Sequence, residues 1–160
     1  MSHPPAEVRA TVDAYVEVRR QIGTGEATWL DLAAFFTDDA AYVDPAWGRI
    51  DGIDEIRRFL VESMSGLEDW RFPIRFAAVE GDEVVTVWDQ VLPGDGGNGR
   101  QFRQTGVSLL HYAGDGRFDF EEDLLNMAHV LEDLSASGWR PLPGFVNPPA
   151  NPNRDVSRPS

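Results

Sequence analysis

The spacing of the apolar residues changes at Gly66, and this change constrains the fold more than any other feature of the sequence. Before Gly66, apolar side chains recur every three or four residues, which is typical of amphipathic helices. After it they alternate at a period of two, which is typical of strands. The sequence therefore predicts helices followed by a sheet, an α+β domain in which the helices cover one face of a long antiparallel sheet.

Three helices are predicted before the change of period. The first covers residues 6–22, and Tyr15 lies on its apolar stripe. A short second helix ends at the polar pair Asp38 and Asp39, with Phe36 on its apolar side. The third covers residues 53–65, between two glycines.

A short strand over residues 40–44 separates the second helix from the third. Pro45 biases the residue before it toward an extended backbone and prevents a normal continuation of the strand ladder. The strand is therefore expected to end at the acid Asp44.

Four strands and a last helix are predicted after Gly66. In the first strand Trp70, Phe72 and Phe76 share a face, and Pro73 indicates an edge or a bulge. Two long strands and a fourth, shorter one follow, separated by glycine-rich turns. These later strands are predicted over residues 83–92, over residues 101–112 and from Arg117. Helical spacing then returns at Leu124, and the last helix is predicted to end at Gly138.

The fourth strand is unusually acidic. Strict alternation places Asp119, Glu121 and Asp123 on one face of the sheet, with Phe118 and Phe120 on the other. Like charges so close raise one another's pKa, so such acids belong in water, at an interface with Arg, or in a site that uses a proton.

Length and composition give the domain organisation. The chain has 160 residues, which suits one domain. We predict that domain over residues 1–139, followed by a proline-rich arm over residues 140–160. The arm carries six of the 11 prolines and no periodic pattern.

Charge and residue types exclude several classes of function. Twenty-seven acids against 14 bases give a net charge of −13, which disfavours nucleic acids and anionic membranes as partners. The absence of Cys excludes thiol nucleophiles and disulfides. All the basic residues are Arg, so Schiff-base chemistry is excluded too. Without an apolar signal core or a long apolar run, the protein is expected to be cytoplasmic.

No local motif for a nucleotide, a metal or an activated serine is present. The run FFTDDAAYVDPAWGRIDGIDEIRRFL, residues 35–60, resembles the helix–strand–helix of the nuclear transport factor 2-like superfamily. That superfamily includes ketosteroid isomerases and SnoaL-like polyketide cyclases. The shared features are two acids and Ala before a strand, Asp-Pro at its end, and Gly-Ile-x-x-Ile beyond. The order of elements also matches over residues 6–125.

The resemblance implies a cone-shaped, curved antiparallel sheet wrapped around the N-terminal helices, with a further C-terminal helix and a deep pocket at the open end. It also implies site residues. Asp44 is similar to the isomerase general base, and Tyr15 matches the tyrosine that donates to the developing oxyanion. The second oxyanion donor, a protonated acid in the isomerases, falls on Ser108. Asp123 is similar in position to the late-strand Asp that SnoaL-like cyclases and limonene epoxide hydrolases use as acid or base, and Glu121 is expected beside it.

These expectations define a reaction type. A carboxylate in a partly apolar cup has a raised pKa, so Asp44 or Asp123 could take a proton alpha to a carbonyl, without a metal or an organic cofactor. Tyr15 and Ser108 would stabilise the enolate oxygen. Asn126 would cap the last helix or line the pocket. The side chains predicted to contact a small apolar substrate are Trp29, Trp47, Trp70, Trp88, Gln90, Ser108, Glu121 and Asn126.

Isomerase, cyclase or dehydratase chemistry has two alternatives. The first is a non-catalytic small-molecule-binding or assembly domain, because a fold alone never fixes an activity. The second is an epoxide hydrolase, which needs an Arg between two Asp residues on adjacent strands. Arg103 lies near the right strand, but no Arg-x-Asp sequence occurs there, which weakens this alternative. Val85, Val87 and Val91 lie on a strand face that the helices should not cover, so a homodimer through that face is also predicted.

Overall fold

The structure, a computed structural model, describes residues 2–160. Within that range the helices are α1 (Pro5–Thr24), a 3-10 helix (Trp29–Phe35), α2 (Ile53–Glu62) and α3 (Met127–Ser137). The strands are β1 (Phe36–Asp44), β2 (Gly48–Asp51), β3 (Ile74–Glu80), β4 (Glu83–Asp95), β5 (Gln101–Gly114) and β6 (Arg117–Leu125). The predicted order of helices and strands is confirmed except for β2, which was not predicted; it follows β1 after a short turn and pairs with it antiparallel.

One sheet contains all of these strands, in the order β2-β1-β6-β5-β4-β3. It is open and curved, and it wraps round the helices, which confirms the predicted α+β architecture. Strand β1 pairs with β6 in parallel, whereas the other four pairings are antiparallel. The parallel pair was not predicted. Residues 45–116, about half of the domain, lie between these two strands in sequence, so turn geometry does not dictate their relative direction.

Helix α1 packs against the concave face of the sheet. Val8, Val12 and Tyr15 are buried on its inner stripe, as the apolar spacing predicts. Burial of such a side chain contributes about 1.5–3 kcal/mol. The helix ends two residues later than predicted, because Gly25 rather than Gly23 takes the left-handed conformation that closes it.

The second helix is shorter than predicted. It is a 3-10 helix that ends at Phe35, and Phe36, Asp38 and Asp39 all belong to β1. Phe36 has an extended backbone and pairs with Phe118 of β6. The helical spacing of Phe36 was therefore misleading, because pairing with a distant strand outweighed a local pattern.

The strand predicted to begin at Trp70 begins at Ile74 instead. It is the edge strand β3, and Pro73 immediately precedes it, as proline at an edge should. The register with β4 shifts after Ile74, and Phe76 is 56% exposed. The prediction that Phe76 shares a face with Trp70 and Phe72 is wrong, because this bulge interrupts the alternation.

A second bulge changes which acids of β6 face inward. Relative to β5, the strand carries one extra residue at Asp119. Phe118 therefore lies in the main core under the helices, whereas Phe120 lies in a separate cluster on the outer face. Beyond the bulge, Glu121 and Asp123 point inward. The predicted face of three acids is wrong, because Asp119 lies outside with a histidine partner.

The last helix starts later than the apolar spacing predicted. Leu124 belongs to β6 and is 45% exposed. Helix α3 starts at Met127, and the side-chain oxygen of Asn126 caps it by accepting the backbone N–H of His129 at 3.3 Å. Gly138 closes it in the left-handed conformation, as predicted.

The proline-rich arm contains no helix or strand, yet it lies against the domain along its length. Near its start, the Leu142 N–H donates to the carbonyl of Gly66 at 3.0 Å. Further along, the carbonyl of Asn153 accepts the N–H of Arg49 at 2.8 Å. At its end, Arg158 lies over Phe120 on the outer face of the sheet.

Candidate functional site

A cavity of about 360 Å³ lies between the concave face of the sheet and the helices. Its wall is mostly apolar, and all four tryptophans predicted to contact a substrate contribute to it: Trp29, Trp47, Trp70 and Trp88. Trp139 also lines it and was missed, because it follows the last helix in a stretch without periodicity. Flat aromatic walls suit a flat apolar ligand.

Asp44 ends β1 at the edge of this cavity. Its Oδ1 accepts the backbone N–H of Ala46 at 2.8 Å and that of Trp47 at 2.7 Å. The turn that follows Pro45 therefore fixes one carboxylate oxygen, while Oδ2 makes no hydrogen bond within residues 2–160. Burial raises the pKa of Asp44 to about 6, and the nearby charge of Asp123 also raises it. The hydrogen bonds from the two backbone N–H groups act in the opposite direction and lower it.

Asp123 also lines the cavity, but both of its oxygens have donors. Tyr42 donates to Oδ2 at 2.5 Å, and Ser108 donates to Oδ1 at 2.6 Å. The indole N–H of Trp88 in turn donates to Ser108 at 2.9 Å. Ser108 therefore lies behind the cavity wall, and its proton is already used. Tyr42 was missed, although it lies two residues before Asp44 on one strand face.

Glu121 is almost fully buried behind Tyr15 and does not line the cavity. The Tyr15 hydroxyl, which does line it, donates to Glu121 Oε1 at 3.2 Å. The Tyr42 hydroxyl lies 3.3 Å from the same oxygen. The sequence therefore correctly predicted that Glu121 faces inward, but the structure places it one layer deeper than a substrate contact.

Glu121 and Asp123 titrate as a pair. Burial raises the pKa of Glu121 well above its usual range, and the charge of Asp123 raises it further. Burial also raises the pKa of Asp123, although the Ser108 and Tyr42 hydroxyls oppose the effect. Two buried carboxyl groups in contact cannot both ionise cheaply, so the pair retains a proton when isolated carboxyl groups have lost theirs.

The cavity wall also contains a cation that the sequence reasoning missed. Arg19 of α1 is 9% exposed and lines the cavity. Its guanidinium lies over the rings of Trp29 and Trp88, 5.2 and 5.9 Å from their centroids. Arg19 follows Tyr15 by four residues, so helical spacing could have placed it on the buried stripe.

Two remaining predicted contacts differ in placement. Gln90 lines the cavity, where its amide donates to Gln104 at 2.8 Å. Asn126 is exposed and caps α3, so the structure does not place it at the cavity. Arg103, the residue considered for an epoxide hydrolase site, pairs with Asp89 at 3.7 Å on the outer face of the sheet.

The proline-rich arm closes part of the cavity mouth. Phe145, Val146 and Pro148 contribute to its wall. Gly66 makes this contact possible, because a side chain there would collide with Phe145: an added Cβ would lie 2.6 Å from the Phe145 Cβ. Gly66 also has a φ of 84°, which disfavours other residues.

Comparison with protein families places this arrangement in a known group. Residues 12–119 match the model of the SnoaL-like domain. The chain belongs to the SnoaL-like domain family. This confirms the resemblance noted in residues 35–60. Among curated protein sequences, none matches this chain.

Several solved structures share the fold of this SnoaL-like domain. A protein from Jannaschia sp. CCS1, named for the SnoaL-like polyketide cyclases, is 18% identical with a TM-score of 0.61, covering 85% of this chain and 98% of its own. One with a ketosteroid isomerase-like fold from Catenulispora acidiphila DSM 44928, in complex with trimethylamine, is 21% identical with a TM-score of 0.57, covering 79% and 97%. TerC, co-crystallised with polyporic acid, is 18% identical with a TM-score of 0.59, covering 78% and 98%. Identities this low show the shared fold.

Two further observations concern the described part of this SnoaL-like domain. In residues 2–160, no three His, Asp or Glu side chains cluster so that they could hold a metal ion. Over the same residues, every helix is too short or too polar to cross a membrane.

Proposed function

We propose that this SnoaL-like domain is a cofactor-independent enzyme that moves a proton on a small, flat, apolar carbonyl compound, as an isomerase, cyclase or dehydratase does. One observation carries the proposal. Asp44 stands at the edge of an apolar cavity with a pKa raised to about 6 by burial, and one of its oxygens has no hydrogen-bond partner among residues 2–160. A base is most effective when its pKa lies near the working pH.

In this proposal Asp44 is the base that removes a proton alpha to the carbonyl. The turn holds Oδ1 through two backbone N–H groups, so Oδ2 is presented in a fixed direction and no reorganisation is needed. Asp123 is less suited to the role, because Tyr42 and Ser108 already donate to both of its oxygens.

The developing oxyanion would be stabilised by Tyr15. Its hydroxyl lies in the cavity wall and contacts the buried carboxyl of Glu121. If the proton of the Glu121–Asp123 pair lies on Glu121, that carboxyl can donate to the Tyr15 oxygen and leave the tyrosine proton for the substrate. Ser108 would then be a positioning residue that orients Asp123.

The test does not require the natural substrate. The protein is mixed with β-tetralone, a flat enolisable ketone, in deuterium oxide, and nuclear magnetic resonance follows the loss of its alpha protons. We expect exchange faster than with free acetate, rising with an inflection near pH 6 as Asp44 ionises. Asp44→Asn should lower the rate by about 10²–10⁴-fold. Tyr15→Phe should lower it by about 10–10³-fold.

The exposed Asp38, on the same strand, provides the matched control: Asp38→Asn should exchange at the wild-type rate. Exchange that persists in Asp44→Asn would contradict the assignment of the base. Saturable binding of β-tetralone without any exchange would instead support the second candidate, a small-molecule-binding domain. That candidate is favoured by the satisfied hydroxyls of Tyr15 and Tyr42.

We also propose that the outer face of β4 forms a homodimer. Val85, Val87 and Val91 are only half-buried there, opposite the core residue Val84. Apolar side chains on a sheet face that no helix covers favour association. Light scattering should give twice the chain mass of 17.8 kDa. A mass equal to one chain would rule the dimer out.

A further inference from the structure

Arg19 is a buried cation without an anion. Its side chain is 9% exposed, and it forms no ion pair with any Asp or Glu of the described chain. One terminal nitrogen donates to the carbonyl of Phe72 at 3.0 Å, and the other lies 3.5 Å from the Tyr15 hydroxyl. The Nε atom is buried without any hydrogen-bond partner in residues 2–160.

Such an arrangement is costly for a protein by itself. A guanidinium has five N–H donors, and most of those of Arg19 are unused or used only weakly. Charges are normally buried only when they are paired. Glu121 and Asp123 share one proton and keep one negative charge, which acts on Arg19 through space, but their oxygens contact tyrosine and serine hydroxyls and form no ion pair with the guanidinium in residues 2–160.

The surroundings of Arg19 define what could supply that charge. Trp29 and Trp88 lie on the guanidinium and, like it, form part of the cavity wall. A ligand with one acidic oxygen group on a flat ring system could pair with Arg19 and stack on the same indoles. A cavity of about 360 Å³ has room for two or three fused rings.

Arg19 and Asp44 lie on different sides of the cavity. Arg19 contacts Trp88 of β4, whereas Asp44 ends β1, and strands β6 and β5 lie between those two strands. A ligand held at Arg19 by its acidic group could therefore place another part of its ring system near Asp44. The acidic group itself would stay away from that carboxylate.

We infer that the cavity binds a flat aromatic molecule that carries one acidic oxygen group, a carboxylate or an ionised enol, and that Arg19 is the residue that selects it. This inference deepens the proposed function, because it names the class of substrate for the same cavity. It can nevertheless fail separately, since it concerns binding and not proton transfer.

The experiment compares two ligands of the same shape and different charge. β-Naphthoate and β-naphthamide are titrated into the protein near neutral pH, and quenching of tryptophan fluorescence reports binding. We expect the wild type to bind the acid at least about tenfold more tightly than the amide, because a buried charge pair replaces an unpaired cation. Arg19→Gln should lose that preference while still binding the amide.

The matched control is Arg20→Gln, which removes an exposed charge one residue away and should keep the wild-type preference. If Arg19→Gln does not fold, Arg19→Lys decides the question. Lysine keeps the charge but not the planar guanidinium, so a reduced preference for the acid in Arg19→Lys supports the inference. If the wild type and Arg19→Lys each bind the acid and the amide with equal affinity, the inference is overturned.

Equal or tighter binding of the amide by the wild type overturns the inference, as does the absence of saturable binding of β-naphthoate. The outcome is distinguishable from that of the proposed function. Selective binding of the acid together with unchanged ketone exchange in Asp44→Asn would leave an acid-binding domain without the proposed catalysis. Exchange that depends on Asp44 without selectivity for the acid would leave the catalysis and remove the role of Arg19.

Discussion

Replacing Asp44 by Asn should stabilise the protein, and only above a particular pH. The pKa of Asp44 rises from its ordinary 3.8 to about 6 because burial disfavours the ionised form. Each pKa unit corresponds to about 1.36 kcal/mol, so ionising Asp44 costs the folded protein about 2–3 kcal/mol once partial exposure is allowed for. Asn has no charge to desolvate, and its side-chain oxygen can still accept the two backbone N–H groups.

The direction of the pH dependence follows from proton binding. Between about pH 4 and pH 6 the folded protein holds the Asp44 proton, whereas the unfolded chain has lost it. This group therefore makes the wild type less stable as the pH rises through that window, and its contribution is constant above it. Asp44→Asn removes this loss. The contribution of residue 44 to the free energy of unfolding should therefore differ little between the two proteins at pH 4 and by about 2–3 kcal/mol at pH 8.

Urea unfolding followed by tryptophan fluorescence, at several pH values between 4 and 8, measures this difference. For a chain of 160 residues the expected rise in Tm at pH 8 is about 5–10 °C. Asp38→Asn, which replaces an exposed acid on the same strand, serves as the control for the loss of one charge. The reasoning is refuted if the stability of Asp44→Asn runs parallel to that of the wild type across the whole pH range.

Three other substitutions test the rest of the site. In Gly106→Ala the added Cβ would lie about 2.4 Å from the Trp88 ring, so the free energy of unfolding measured in urea should fall by about 1–3 kcal/mol. Unchanged stability would show that Trp88 packs elsewhere. Tyr42→Phe removes a hydrogen-bond donor to Asp123, which raises the pKa of Asp123 further and should destabilise the protein by about 1–3 kcal/mol. Because the lost donor stabilised the ionised form, this loss should grow as the pH rises through the pKa of Asp123. Equal losses of stability in acid and in alkali would argue against this role of Tyr42. Phe145→Ala should loosen the proline-rich arm and speed its removal by protease while Tm changes little, and wild-type cleavage kinetics would show that Phe145 does not hold the arm.

The fold was predictable from the sequence because its elements have long and regular patterns. The buried stripe of α1 shows a helical period, and β4 alternates so strictly that the inward positions of Trp88 and Gln90 follow from it. The errors arose where a local pattern competed with a distant partner. Phe36 has helical spacing but pairs with β6, and no neighbouring residue signals that.

The candidate site was predictable in part. Asp44, Tyr15 and Asp123 were identified by resemblance, and the structure brings all three to one cavity. Arg19 was missed because arginines on a helix are usually solvated, so its burial depends on tryptophans that are distant in sequence. The sequence alone could not predict that Glu121 and Asp123 share a proton either, because this sharing depends on side chains from several helices and strands.

The bulge at Asp119 determines which residues of β6 supply the interior with protons. If β6 kept all its residues without the bulge, strict alternation from Phe118 would turn Phe120 and Glu122 inward and send Glu121 and Asp123 to the outer face. A relative whose last strand lacks the residue at Asp119 would instead keep the acid pair opposite the same residues of β5. When sequences of this family are aligned, a single gap at this position therefore preserves the buried acids, and an alignment without the gap would assign them to the wrong face.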